Sequence, residues 1–170
     1  MSARELAYCG IFGAAALLLP VLFHLLHLGY VFMPMYLPLV ALAFFVRPRA
    51  SAAAALTVPL LSGAVTGMPP FYPPVAPIMS IELALIAALI GGLRSACPRL
   101  PVWAVLAVAL LAGRAVNAAL RFGAARVMNL PAGFVAGLSL LSGWPGLALM
   151  LAVIPQLVRL SGAQPRGSRC

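Results

Sequence analysis

The sequence predicts an all-α integral membrane protein, a bundle of about six transmembrane helices. Three observations carry this. The chain has 170 residues, 64% hydrophobic and only 8% charged, with mean hydropathy +1.11. A soluble domain carries about 25% charged residues, so the apolar excess here must face lipid. The apolar residues fall in continuous runs rather than in the alternating segments of about ten residues that build a membrane β-barrel. Six such runs are separated by breaks rich in Pro, Gly and Arg, each a candidate for the stretch of about 20 apolar residues that spans a bilayer.

The first segment is expected from Glu5 to Leu26 and the second from Val31 to Val46, the third from Ala50 to Thr66. The second and third are short and contain Pro, so one of them is expected to bend or to span only in part. Arg47-Pro48-Arg49 separates them, and Gly67 to Pro74 follows the third; five prolines between Pro69 and Pro77 forbid a helix throughout. The fourth segment runs from Val75 to Leu93, the fifth from Val102 to Leu120 and the sixth from Gly133 to Leu160, with breaks at Arg94–Pro101 and Arg121–Pro131. Residues 1–160 form a single transmembrane domain on this reading, and 161–170 a short basic tail.

Eleven basic residues, all Arg, face two acids. They are scattered singly between apolar runs, without the basic stripe and interleaved aromatics of a nucleic-acid surface. With the N-terminus inside, eight arginines (Arg4, Arg47, Arg49, Arg94, Arg99, Arg159, Arg166 and Arg169) fall on the cytoplasmic side, and only Arg121 and Arg126 outside. That is the positive-inside bias, and an even number of spans preserves it. The expected location is a bacterial or archaeal cell membrane with both termini cytoplasmic. Cys9, Cys97 and Cys170 then lie at or near the cytoplasmic side, odd in number and without Cys-x-x-Cys spacing, so neither a disulfide nor a metal site is expected. The N-terminal run is too long for a secretory signal and is followed by equally apolar segments.

Polar groups inside a membrane are costly and each asks for a reason. His24 and His27 share a face near the outer end of segment one, as a ligand contact or as interfacial histidines. Glu82, the only acid besides Glu5, lies early in segment four. It needs a partner or a proton, as a substrate contact, a structural pair with Arg114 or a histidine, or both. Arg114, Asn117 and Arg121 recur at spacings of three and four on one face of segment five, where two guanidiniums and an amide suit a carboxylate or phosphate; Arg121 could alternatively snorkel to the interface. Tyr30, Tyr36, Phe71 and Tyr72 lie near the same rim. Together these residues read as a capped pocket open to the outside.

Ala3, Ala7, Gly10 and Ala14 form a smooth stripe on segment one, and Gly63-x-x-x-Gly67 a short patch on segment three. Such stripes serve close internal packing or the docking of another membrane subunit. No phosphate-binding Gly-x-x-x-x-Gly-Lys-Ser/Thr loop, Gly-x-Ser-x-Gly or His-Glu-x-x-His motif is present. No clear inverted repeat of the kind found in many autonomous transporters is present either.

Three stretches resemble one family. His24 to Leu39, with Phe32-x-Pro34-Met35-x-x-Pro38, looks like the first loop and second helix of the substrate-binding S components of energy-coupling factor transporters. Pro59 to Pro74, with Thr66-Gly67-Met68-Pro69-Pro70, resembles their third helix and the loop after it, and Met79-Ser80-Ile81-Glu82-Leu83 continues the likeness. It covers roughly Ala14 to Leu93; beyond that only length and segment count agree. The resemblance implies a six-helix protein that captures a vitamin or related micronutrient outside the cell. It implies docking on a transmembrane coupling subunit driven by two cytoplasmic ATPases, no cofactor and no catalysis of its own. It places Glu82, Arg114, Asn117, Arg121, Phe71 and Tyr72 by position at the binding site. It makes Ala3-x-x-x-Ala7 and Gly10-x-x-x-Ala14 the docking face, with Gly standing for the family's Ala at Gly10. The rival readings are a membrane-embedded enzyme acting on lipid head groups through Glu82 and the histidines, and a structural subunit without a ligand. Arg114 and Arg121 point to an anionic ligand such as pantothenate or folate, and the histidine pair leaves haem or a corrinoid precursor open.

Overall fold

A computed structural model describes residues 2–25, 34–129 and 143–161, and among these described residues there are six helices. They are α1 (Ala3–Leu25), α2 (Tyr36–Leu42), α3 (Pro48–Thr66), α4 (Val75–Ala96), α5 (Val102–Val127) and α6 (Trp144–Leu160). Three of them, α1 over Ala3–Phe23, α4 and α5, are long and apolar enough to cross a membrane, and α6 is a shorter apolar helix. Large apolar side chains face outward along them, among them Ile11 and Leu111, each 66% exposed. Regular structure that is all helical among the described residues, with apolar spans and an apolar exterior, fits an integral membrane protein.

Local chemistry sets the boundaries. α1 opens on a reciprocal cap: Glu5 N–H donates to Ser2 Oγ at 3.3 Å, and Ser2 N–H donates to Glu5 Oε2 at 3.0 Å. Pro48 starts α3, where its missing N–H is not needed. Gly67, at φ 72°, ends α3 by donating its N–H to the Gly63 carbonyl at 3.1 Å. Prolines inside α1, α3 and α6 (Pro20, Pro59 and Pro155) are tolerated as membrane helices tolerate them.

Two elements differ from expectation. Among its described residues the second segment supplies the seven-residue helix α2, a rise of about 10 Å and a third of a bilayer core. Pro34 precedes it, and Ala43 to Phe45 turn out of it. Its side chains are nearly all buried, Leu42 completely, so α2 is a plug in the bundle rather than a span of its own; residues 31–33 lie outside the described residues. The fifth segment overruns its expected end at Leu120 by seven residues. Only Gly123 interrupts it, which a helix tolerates, and Arg126 in the last turn complements the helix dipole. The chain leaves the helix at Asn129, φ 48°. The described part of the sixth segment begins at Gly143, with residues 133–142 and the tail from Gly162 outside the described residues.

Helix α4 is central, packing on α2, α3 and α5, while α2 touches α1, α3, α4 and α6. The core runs through α2, α4, α5 and α6, with Leu39, Ile86, Ile90, Leu106 and Ile154 enclosed. At one end of the bundle Arg47 Nε and Nη2 clasp the Glu5 carboxylate at 2.8 and 2.9 Å, and Arg94 Nη1 donates to the Phe44 carbonyl at 3.0 Å. A groove of about 340 Å³ at this end joins Ser2, Tyr8, Phe45 and Ser161. These contacts gather the start of α1, the α2–α3 connection and the ends of α4 and α6, and with them Arg4, Arg47, Arg49, Arg94 and Arg159. Among the described residues α1 packs only on α2 and α3. Ala3, Ala7, Gly10 and Ala14 all face away from the bundle, so the stripe does not serve packing within the described part of the chain.

Helices α3 and α4 are in close contact where Gly91 meets Pro48: a Cβ on Gly91 would lie 2.3 Å from Pro48 Cγ and 3.1 Å from its Cα. The rigid ring cannot move aside. Gly91→Ala is therefore expected to destabilise the protein in detergent by about 1–3 kcal/mol. Gly92→Ala, with open space around its Cβ, is expected to be neutral or to stabilise by about 0.5–1 kcal/mol. Thermal unfolding of the pair checks this; equal effects would contradict the contact.

Candidate functional site

Glu82 stands in the third turn of α4, about 10 Å along the helix from Val75, in the half of the bundle away from the arginine-rich end. Its side chain is completely enclosed. A carboxylate in such a place must gather donors, and it draws them from two other helices. The Tyr36 hydroxyl, at the start of α2, donates to Oε2. Asn117 Nδ2, on α5, donates to the same oxygen at 2.6 Å. Arg114 Nε, one turn earlier on α5, lies 3.3 Å from Oε1 as an ion pair.

The network has a second layer. Arg121 Nε donates to Asn117 Oδ1 at 2.9 Å. With the amide nitrogen held by Glu82 and the amide oxygen by Arg121, only one orientation of Asn117 satisfies both. The Arg114 guanidinium also lies over the Tyr36 ring, 5.1 Å from its centroid, within cation–π range. Tyr36 thus contacts both members of the ion pair. The spacing of Arg114, Asn117 and Arg121 puts three side chains on one face of α5: Arg114 and Asn117 meet the Glu82 carboxylate on α4, Arg121 bonds Asn117, and the pairing of Glu82 with Arg114 is realised.

Glu82 pairs with Arg114, Arg121 lies one bond further along the network, and Glu5, the only other acidic side chain in the sequence, is clasped by Arg47. Two guanidiniums on one helix face suit an anion. The buried ion pair adds little net stability, which makes it a candidate for function rather than for holding the fold.

The remaining expected residues are placed differently. Tyr36, Glu82 and Asn117 are buried, and Arg114 and Arg121 are partly buried. Phe71 covers the end of α3, where a Cβ on Gly63 would come within 3.0 Å of its ring, and Tyr72 is 70% exposed on the same loop. Neither has a polar or ring contact with Glu82. His24 belongs to the last turn of α1 with its side chain outside the described set, and His27 lies outside the described residues. Among the described residues no three His, Cys, Asp or Glu side chains gather to hold a metal ion.

Gly113 belongs to the site, although the sequence pattern does not single it out. A Cβ there would meet Ile86 Cδ1 and Cγ1 at 2.5 Å and Glu82 Cγ at 3.5 Å. Its missing side chain lets α5 approach α4 at the level of the ion pair. A lone Gly immediately before a mid-helix Arg is the available signal. No protein-family model, no curated protein and no solved structure matches the chain.

The two donors on Oε2 make Tyr36 and Glu82 energetically coupled. Tyr36→Phe is expected to lower unfolding stability by about 1.5–3 kcal/mol, the range for a hydrogen bond to a charged group. In a Glu82→Gln background it is expected to lose at least about 0.5–1 kcal/mol less. A double-mutant cycle on unfolding in detergent reads the difference; simple additivity would contradict the bond.

Proposed function

We propose that the protein is the substrate-binding S component of an ATP-driven energy-coupling factor importer, taking up a vitamin or related anionic micronutrient. The observation that carries this is the polar cluster of Tyr36, Glu82, Arg114, Asn117 and Arg121, which sets two guanidiniums of one helix face beside a buried carboxylate in an otherwise apolar bundle. Such a cluster suits the capture of a carboxylate or phosphate. The motifs Phe32-x-Pro34-Met35-x-x-Pro38 and Thr66-Gly67-Met68-Pro69-Pro70 support the family. The absence of a nucleotide-binding loop from the sequence fits a subunit that takes its motor from other chains.

On this reading the arginine-rich end of the bundle is cytoplasmic, six membrane segments place both termini there, and the cluster lies in the outer half. Short α2 would make the second segment an incomplete helix plugging the bundle, and irregular backbone at membrane depth is tolerated where protein encloses it. The outward stripe of Ala3, Ala7, Gly10 and Ala14 would be the face presented to the coupling subunit, because small residues let helices approach closely.

Co-expression with candidate coupling subunits and ATPases tests the role. The expected result is a complex that co-purifies and retains a small anionic molecule detectable by mass spectrometry, with the molecule lost in Arg114→Ala. A Cβ at Gly10 meets nothing within 4 Å, so Gly10→Leu is expected to leave unfolding temperature unchanged, to keep the ligand and to abolish co-purification. A protein that binds neither subunits nor ligand would refute the proposal.

A further inference from the structure

A groove of about 340 Å³ lies at the arginine-rich end of the bundle, away from Glu82. That volume falls at the lower end of small-molecule sites, about 300–1,000 Å³. Three elements wall it: the start of α1 with Ser2, Arg4, Glu5 and Tyr8, the turn after α2 with Phe44 and Phe45, and the end of α6 with Ser161. Its charge is one-sided. Glu5 is the only acid on the wall, and both its oxygens are held: Arg47 Nε and Nη2 donate at 2.8 and 2.9 Å, and Ser2 N–H at 3.0 Å. Arg4 is exposed, and among the described residues its guanidinium meets Tyr8: Nη2 donates to the hydroxyl at a long 3.4 Å, and the group lies 5.7 Å from the ring centroid. Exposed contacts of this kind are weak, so Arg4 can turn to an anion without stranding a buried charge. The rings do not suit a cation. Arg4 already lies over Tyr8, and Arg94 lies 5.2 Å from the Phe44 centroid, so a further positive group would be repelled.

We propose that this groove binds the headgroup of an anionic phospholipid from the leaflet at this end of the bundle. The phosphate would lie on Arg4 and on the hydroxyls of Ser2 and Tyr8, each of which accepts a bond in the structure and keeps its own proton to donate. Lipid rather than a free anion follows from the surroundings. Leu6 and Leu160, next in the chain to Glu5 and Ser161, are 64% and 86% exposed. They lie where apolar helices α1 and α6 reach this end, the depth at which a bilayer places its headgroups. Acyl chains cover such side chains; a soluble phosphate leaves them bare. Basic pockets between membrane helices recognise anionic headgroups in this way. The tail that follows Ser161 adds Arg166 and Arg169 and no acidic side chain, so it adds to the positive charge rather than meeting it. A lipid bound here is independent of the importer role, since it needs only a bilayer around the bundle.

Native mass spectrometry of the purified full chain in detergent, titrated with dioleoyl phosphatidylglycerol, dioleoyl phosphatidylcholine or glycerol phosphate, separates the occupants. The expected result is that phosphatidylglycerol binds about tenfold tighter than phosphatidylcholine, whose quaternary ammonium meets the same arginines, and that glycerol phosphate does not bind over the same range. Arg4→Gln is expected to bring the two lipids within about threefold of each other. Arg49→Gln, at an exposed arginine of the same end that does not line the groove, is expected to leave the preference as it is. Ser161→Trp fills the groove without removing charge and is expected to weaken phosphatidylglycerol about tenfold. Equal binding of the two lipids by the wild type would overturn the proposal without need of any variant. Equal losses in Arg4→Gln and Arg49→Gln would overturn it in favour of diffuse surface charge. Glycerol phosphate binding as tightly as the lipid would overturn it in favour of a soluble ligand, and unchanged binding in Ser161→Trp would place the lipid outside the groove.

Discussion

A carboxylate with no exposure to solvent is the constraint around which this bundle is arranged. Glu82 is completely buried, and burying a charge among apolar side chains is unfavourable unless donors surround it. Its own helix cannot supply them, because the backbone donors of α4 are taken by the helix itself. They must come from other elements, and each has a fold consequence. Tyr36 has to reach Oε2, which anchors the start of α2 deep in the protein. Asn117 and Arg114 have to reach it from α5, and α5 comes close enough only because Gly113 has no side chain. The position of α2 as a buried plug, the close approach of α4 and α5, and the orientation of Asn117 follow from one oxygen pair.

The same constraint separates the two ends of the molecule chemically. At one end, arginines meet the Glu5 carboxylate and a backbone carbonyl at exposed or half-exposed positions, where water supports the charges and the pairs contribute little. In the other half, the second acidic side chain of the sequence is enclosed and pairs with Arg114, while Arg121 joins through Asn117. Such a face of guanidiniums is the feature that the proposed capture of an anionic micronutrient would use. The outward stripe on α1 adds a second surface, distinct in chemistry, suited to a helix of another subunit.

Much of this is legible in the sequence. Continuous apolar runs declare helices, and the Pro–Gly–Arg breaks locate the starts of α3, α4 and α5 within two residues. The spacing of Arg114, Asn117 and Arg121 declares a shared face, and the scarcity of acids singles out Glu82. What is not legible depends on distance rather than on composition. The run from Val31 to Val46 reads as a span, yet its described helix is seven residues, since a buried plug and a short span have the same apolar composition. The sequence places the end of α5 early because Arg121 reads as a border, whereas its bond to Asn117 keeps it on the helix face. Phe71 and Tyr72 share a loop position with the expected rim, but Phe71 packs on Gly63, a preference no pattern of residue types could show. Gly113 is hidden among the small residues of an Ala-rich helix.

The ionisation of Glu82 decides most, since an ionised carboxylate is what recruits Tyr36, Asn117 and Arg114. Isotope-edited infrared difference spectroscopy between the wild type and Glu82→Gln at neutral pH reads it directly. The expected result is the loss of a carboxylate stretching band on substitution, with no loss in the protonated-carbonyl region. Loss of a protonated-carbonyl band instead would show a neutral Glu82, and would contradict the ion pair with Arg114 and the arrangement derived from it.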